Sequence, residues 1–202
     1  MVDVEISCKC GAVHGTIRGV SPETTNRVVC YCDDCQAYAH HLGREDHLLD
    51  AHGGSDIVQV APADLSFDRG LEHIAAVRLS PKGAFRWTAT CCNTPLGNTA
   101  KPSIPFVGIA AGVLDEASRA PFGPPIGGIM GKFAIGEPPP GSTGLPARII
   151  ARSARRVLGW KLGRKSWPHP FFERSGERRY PERVISKDER ERLRSLCGPK
   201  PA

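Results

Sequence analysis

The stretch Cys30-Tyr31-Cys32-Asp33-Asp34-Cys35 places three thiols within six residues. Two further groups answer it: Cys8-Lys9-Cys10-Gly11 upstream and Cys91-Cys92 downstream, leaving only Cys197 alone. The opening residues Met1-Val2-Asp3-Val4-Glu5 have neither the basic nor the apolar segment of an export signal, so a cytoplasmic, reducing setting is expected. Thiols at this density in such a setting point to metal rather than to disulfides. The period of two along a strand puts both side chains of Cys8-x-Cys10, and both of Cys30-x-Cys32, on one face, where each pair can grip one ion. The turn into a following helix then swings Cys35 round to the same ion. Zinc, with four tetrahedral ligands and a preference for structural thiolates, is the expected cofactor.

Outward from this stretch the pattern is strand after strand. Val4 and Ile6 share one face of a strand that delivers Cys8, and Ala12 to Arg18 returns after a turn at Gly11. Val28 and Val29 lead into Cys30. Gln36 to Leu42 reads as a short helix, with Asp33 and Asp34 near its positive end and Gly43 stopping it. Ile57, Val58 and Val60 form a further strand, His73 to Leu79 another, and Phe85, Trp87 and Ala89 share one face of the strand that runs into Cys91. Ile104 to Ile109 is one more strand and Ala110 to Arg119 a helix. No internal repeat and no strand–helix alternation is present, so a mainly β zinc fold of antiparallel strands is expected. The zinc domain is placed at residues 1–115 and an extension packed on it at 116–202.

Within the extension, Ala120 to Gly144 is rich in Gly and Pro and reads as loop. Pro146 to Leu162 is an amphipathic helix whose apolar stripe is Ile150, Ala154, Val157, Leu158 and Leu162, with Arg148, Arg152, Arg155 and Arg156 on other faces. Trp167 to Phe172 is an aromatic loop docking on the body, and Ser186 caps a last helix with Glu189 three residues on. The net charge of +6 is concentrated beyond Ala147, residues 1–100 being roughly neutral to slightly acidic. Such a tail attracts nucleic acid, acidic membrane surface or an anionic substrate, or is simply solvated. No apolar run is long enough to span a membrane.

The order CxCG, CxCxxC, then a strand ending in Cys91 resembles the glutathione-dependent formaldehyde-activating enzyme family, which includes the centromere protein V relatives. The resemblance covers about residues 5–110. It implies an Mss4-like (β-tent) fold with two zinc sites. Cys8, Cys10 and Cys91 match ligands of a structural zinc. Cys30, Cys32 and Cys35 match a second zinc with an open position, implicated in glutathione chemistry. The implied activity is that of a carbon–sulfur lyase forming S-hydroxymethylglutathione, with glutathione or another small thiol as partner.

In that family the late motif is CxxCG, whereas here it is Cys91-Cys92-Asn93-Thr94-Pro95. Thr94 stands where the fourth thiolate belongs, and a neutral hydroxyl is a poor zinc ligand. Cys92 substitutes only if the backbone turns, because adjacent strand residues face opposite ways; otherwise the first site has three sulfurs or is empty. The central triad has a closed reading as well as an open one, with His40, His41, Asp33 or Asp34 as fourth ligand. Tyr31 and Asp33 are close enough in sequence to position a substrate. Arg86 is either a carboxylate partner or a solvent-facing arginine, and the solvent-facing reading is preferred. A second function class is a non-catalytic zinc-stabilised binding module that uses its basic C-terminal helix.

Overall fold

A computed structural model of the chain describes residues 1–199. In chain order the strands and helices are β1 (Val2–Ser7), β2 (His14–Val20), β3 (Asn26–Cys30), α1 (Asp33–Leu42), α2 (Glu45–Leu48), β4 (Ser55–Val60), β5 (Leu65–Arg69), β6 (Ile74–Arg78), β7 (Phe85–Ala89) and β8 (Thr94–Thr99). They continue as β9 (Val107–Ala110), α3 (Glu116–Arg119), β10 (Gly128–Ile129), α4 (Ala147–Leu162), β11 (Glu182–Val184) and α5 (Lys187–Ser195). The fold is mainly β. A three-stranded antiparallel sheet, β1-β2-β5, faces an eight-stranded sheet ordered β10-β3-β4-β9-β8-β7-β6-β11. The inner strands of the larger sheet pair antiparallel, whereas β10 and β11 join its two edges in parallel.

Alternation along the strands divides the burial. Val4, Ile6 and Ile17 of the small sheet meet Val58, Val60, Trp87, Leu96 and Ile109 of the large one in the main core. Trp87 is its centre, stacked on Phe171 at a centroid distance of 4.5 Å and donating from Nε1 to Thr99 Oγ1 at 3.0 Å. The aromatic loop therefore supplies part of the core. The opposite face of the large sheet is covered too. There α1, α2 and α5 bury Ala37, Tyr38, Leu42, Leu48 and Leu193 against Val77 and Leu79. Gly43 ends α1 in the left-handed region at a φ of 61°, where a Cβ would be strained. Ser186 caps α5 by accepting from the Glu189 N–H at 3.1 Å.

Three expectations need correction. Ala110 to Arg119 is not one helix: a tight turn at Ala111–Val113 comes first, and Asp115 then caps the four-residue α3 by accepting from Ser118 N–H at 2.7 Å. The face of α4 that docks is not the expected stripe. Ile150, Leu158 and Leu162 are 48%, 55% and 76% exposed, while Ile149 and Trp160 are buried. The ground beneath α4 explains this, because it offers carbonyls and amides. Arg152 donates to Asn26 Oδ1 at 3.0 Å and to the Pro22 carbonyl at 3.1 Å, Arg156 to that carbonyl at 3.4 Å, and Trp160 Nε1 to the Thr24 carbonyl at 3.3 Å.

Arg86 does not face solvent. It points to the face opposite Trp87, and in a central strand of this sheet that face lies under α1, leaving Arg86 6% exposed.

Candidate metal centres

Cys8 follows β1, Cys10 lies in the turn that precedes β2, and Cys91 and Cys92 lie in the turn between β7 and β8. The four sulfurs converge. Cys8 Sγ is 3.5 Å from Cys10 Sγ and 3.8 Å from Cys91 Sγ, Cys10 Sγ is 3.4 Å from Cys91 Sγ, and Cys91 Sγ is 3.8 Å from Cys92 Sγ. A tetrahedron of sulfurs with bonds of about 2.3 Å to a central zinc has edges of about 3.8 Å, so the set fits such an ion. All eight cysteines are free of disulfides.

The turn that brings Cys92 round is made by Asn93, which sits at a φ of 53° in the left-handed region that Asn tolerates. Pro95 does not make the turn. It lies within β8, where the β7–β8 register shifts and the strand needs no regular ladder bond from it. Thr94 stays outside the sulfur set. Its Oγ1 accepts the Lys9 N–H at 3.0 Å and lies 3.1 Å from Cys92 Sγ. Burial opposes ionisation of Cys92, but hydrogen bonds from Thr94, Cys10 and Cys8 outweigh it and hold the thiol down to about 6.

The second set is Cys30 at the end of β3, Cys32 at the N-cap of α1 and Cys35 in its first turn. Their sulfurs lie within 4.8 Å of one another, with no fourth His, Asp, Glu or Cys in the group among the described residues. The residues that a closed site would need are engaged elsewhere. Asp33 and Asp34 are ion-paired with Arg194 of α5. His40 Nδ1 faces Glu45 at 3.5 Å, and His41 Nδ1 faces Glu189 at 2.8 Å. Tyr31 is buried and its hydroxyl donates to Asp50 Oδ2 at 3.3 Å. Cys197 is in neither sulfur set; its thiol faces the carbonyls of Leu193 and Asp33.

The three thiols of the triad are shifted unequally. Hydrogen bonds from Cys30 and then Cys32 hold its thiol well below the usual range against burial, and the Arg86 guanidinium adds to this. Cys30, hydrogen-bonded to Cys32 and Cys35 and buried, is pushed up. For Cys32 the hydrogen bond from Cys30 is outweighed by its own to Cys35, by burial and by the Cys35 charge, leaving it up at about 12. The start of a helix stabilises thiolate in the same sense. Helix α1, ten residues and about 15 Å long, runs from the triad to the β7–β8 turn, where Asn93 Nδ2 faces the Leu42 carbonyl at 3.5 Å. The two sulfur sets are therefore separate centres.

Among known proteins, the model of a family of unknown function, DUF6151, matches residues 1–178. The chain belongs to that family. No curated protein matches the chain in sequence. A structural-genomics crystal structure of a Rhodobacter sphaeroides protein is similar at 18% identity and a TM-score of 0.39, covering 55% of this chain and 88% of that one.

In this DUF6151 chain one functional candidate was misread from sequence. Arg86 lines a cleft of about 190 Å³ whose walls include Cys30 and Cys35. Its guanidinium lies over the Tyr38 ring at 5.0 Å and feels the charges of Cys35, Cys32 and Asp34. The signal that could have revealed it was Trp87 beside it: a strand that central has both faces covered, so its alternate residues are buried as well.

Proposed function

We propose that the chain is a zinc protein with a structural ion held by Cys8, Cys10, Cys91 and Cys92. Cys30, Cys32 and Cys35 hold a second ion with one position open to a substrate thiol. The reaction proposed is addition of that thiol, glutathione in the first instance, to an aldehyde such as formaldehyde, and its reverse. The observation that carries this reading is the triad without a fourth protein ligand, opening beside a cleft, while Asp33, Asp34, His40 and His41 are all paired elsewhere. The resemblance of the CxCG and CxCxxC order to the formaldehyde-activating family supports it.

A zinc ion bound there would deprotonate a coordinated thiol, which free in water has a pKa of about 8.5. Three thiolates leave such a centre at about −1, which suits thiol binding better than water activation. The chain's own residues supply the rest. The N-terminus of α1 and the Arg86 cation offset the thiolate charge, and the cleft admits the aldehyde beside the sulfur. In the net step a carbon–sulfur bond forms at the carbonyl carbon, and the thiol proton ends on the new hydroxyl oxygen.

This addition also occurs without a catalyst, so the test is exchange NMR of formaldehyde with its glutathione adduct. The zinc-loaded chain is expected to accelerate exchange. Cys35→Ser, with its sheet structure retained, is expected to return it to the uncatalysed rate. No acceleration with glutathione or any small thiol would overturn the proposal. The alternative of a polyanion-binding module is disfavoured by α4, since Arg152 and Arg156 are spent in holding the helix to the body.

A further inference from the structure

We infer that the cleft beside the triad selects a small thiol that also carries a carboxylate, with the sulfur directed to Cys30, Cys32 and Cys35 and the carboxylate received by Arg86. The inference rests on the open thiol site proposed above.

Strand register lays the groundwork. Asn26 pairs with Gln59, Gln59 with Gly108, Gly108 with Asn98, and Asn98 with Arg86. Cross-strand partners share a face, so a row of polar side chains crosses five strands on the side away from the main core. One end of this row is already satisfied from within. Asn26 Nδ2 donates to Gln59 Oε1 at 3.2 Å, Arg152 donates to Asn26 Oδ1, and Ser153 Oγ donates to Gln59 Oε1 at 3.3 Å.

The other end is satisfied on one side only. Among the described residues no carboxylate lies within salt-bridge distance of Arg86; its guanidinium meets the Cys35 sulfur on the triad side, and on the cleft side neither it nor the Asn98 amide meets a protein oxygen. Both line the cleft. The thiolates that offset the Arg86 charge lie on its triad side, so its cleft-side donors are left for a ligand. A guanidinium presents five N–H donors in a planar fork that matches a carboxylate.

Gly108 keeps the floor clear. A Cβ there would come to 2.8 Å of Asn98 Oδ1 and push the amide out of the row. Val28, Ile57, Phe106 and Ile129 give the cleft apolar walls for a short carbon chain. The cleft has a volume of about 190 Å³ and opens to solvent.

The test is titration of the cobalt-loaded chain, followed by its thiolate-to-metal absorption, with 3-mercaptopropionate, its neutral analogue 3-mercaptopropionamide, and glutathione. The acid is expected to bind at least about tenfold more tightly than the amide, the scale of one charge-assisted hydrogen bond. Arg86→Met is expected to bring acid and amide to equal affinity, whatever its effect on thiol binding as such, and Arg86→Lys to restore part of the preference. Equal binding of acid and amide to the unsubstituted chain overturns the inference but leaves the open thiol site standing, and it does so whether or not the Arg86 variants fold. A preference that survives in Arg86→Met also overturns it. Binding of neither thiol overturns both the inference and the open site. Glutathione, the thiol of the proposed reaction, is expected to bind and to lose affinity in Arg86→Met; glutathione affinity left unchanged by Arg86→Met also overturns the inference.

Discussion

The hydroxyl of Thr94 occupies the sequence position at which a fourth thiolate was expected, yet Cys92 reaches the sulfur set and Thr94 supports it from outside. The two roles separate on mutation. Cys92→Ala is expected to lower bound metal by one equivalent per chain, measured by elemental analysis. Thr94→Val is expected to keep the metal and to lose about 1–2 kcal/mol in urea unfolding, because the Lys9 N–H loses its acceptor. Loss of metal from Thr94→Val would show that the hydroxyl is itself a ligand. The sequence made the sulfurs legible and left Cys92 open, since the left-handed turn at Asn93 that swings it round is a backbone property with no pattern in the neighbouring residue types. Arg86 was illegible for a different reason. Alternation shows which residues share a face, but not that a helix from elsewhere in the chain covers the other one.

At the scale of elements, α4 shows how a helix can be recognised and its docked face still misassigned. Its apolar positions follow the 3.6-residue period, but the sheet margin beneath it presents the Pro22 and Thr24 carbonyls and the Asn26 amide, so Arg152, Arg156 and Trp160 turn inward. Arg152→Ala is expected to destabilise the chain by about 1.5–3 kcal/mol. Leu158→Ala is expected to change stability by less than about 0.5 kcal/mol, as for other exposed positions. The reverse order in thermal unfolding would contradict the assigned face.

The aromatic loop makes a prediction of its own. His169 is buried beside Phe171 and Phe172, its Nδ1 accepts the Phe171 N–H at 3.1 Å, and burial, with Arg179 adding, pushes its pKa down to about 4. The unfolded chain, with His169 near 6.5, binds the proton more readily. Stability from this residue is therefore full above about pH 6.5 and is lost as pH falls toward 4, by on the order of 2–3 kcal/mol. His169→Asn keeps an acceptor without the titration. The gap between the two proteins in urea unfolding is expected to change between pH 7 and pH 4.5, and a constant gap would contradict a neutral buried His169.

At the scale of the whole molecule, the two sulfur sets lie at different seams. Cys8, Cys10, Cys91 and Cys92 lie where the small sheet meets the end of β7 in the large one, and Cys30, Cys32 and Cys35 lie where β3 meets α1. Strand order along the N-terminal half was legible because alternation and turn residues mark each antiparallel return. The edge strands β10 and β11 were not. They are two and three residues long, come from beyond residue 120 and pair in parallel with strands far back in the chain, so no local period announces them. β5 and β8 were missed as well: β5 offers only two apolar positions, Leu65 and Phe67, and β8 contains Pro95. The large sheet thus draws on residues from both halves of the chain, and the cleft beside Arg86 lies on the face where helices from both halves pack.

Cadmium-113 NMR of the cadmium-loaded chain, before and after addition of 2-mercaptoethanol, addresses the two proposed centres together. Two resonances in the thiolate range are expected. One, from Cys8, Cys10, Cys91 and Cys92, should stay fixed as thiol is added, and the other, from Cys30, Cys32 and Cys35, should move as a fourth sulfur joins. A single resonance, or two that both ignore the added thiol, would contradict an open three-thiolate centre.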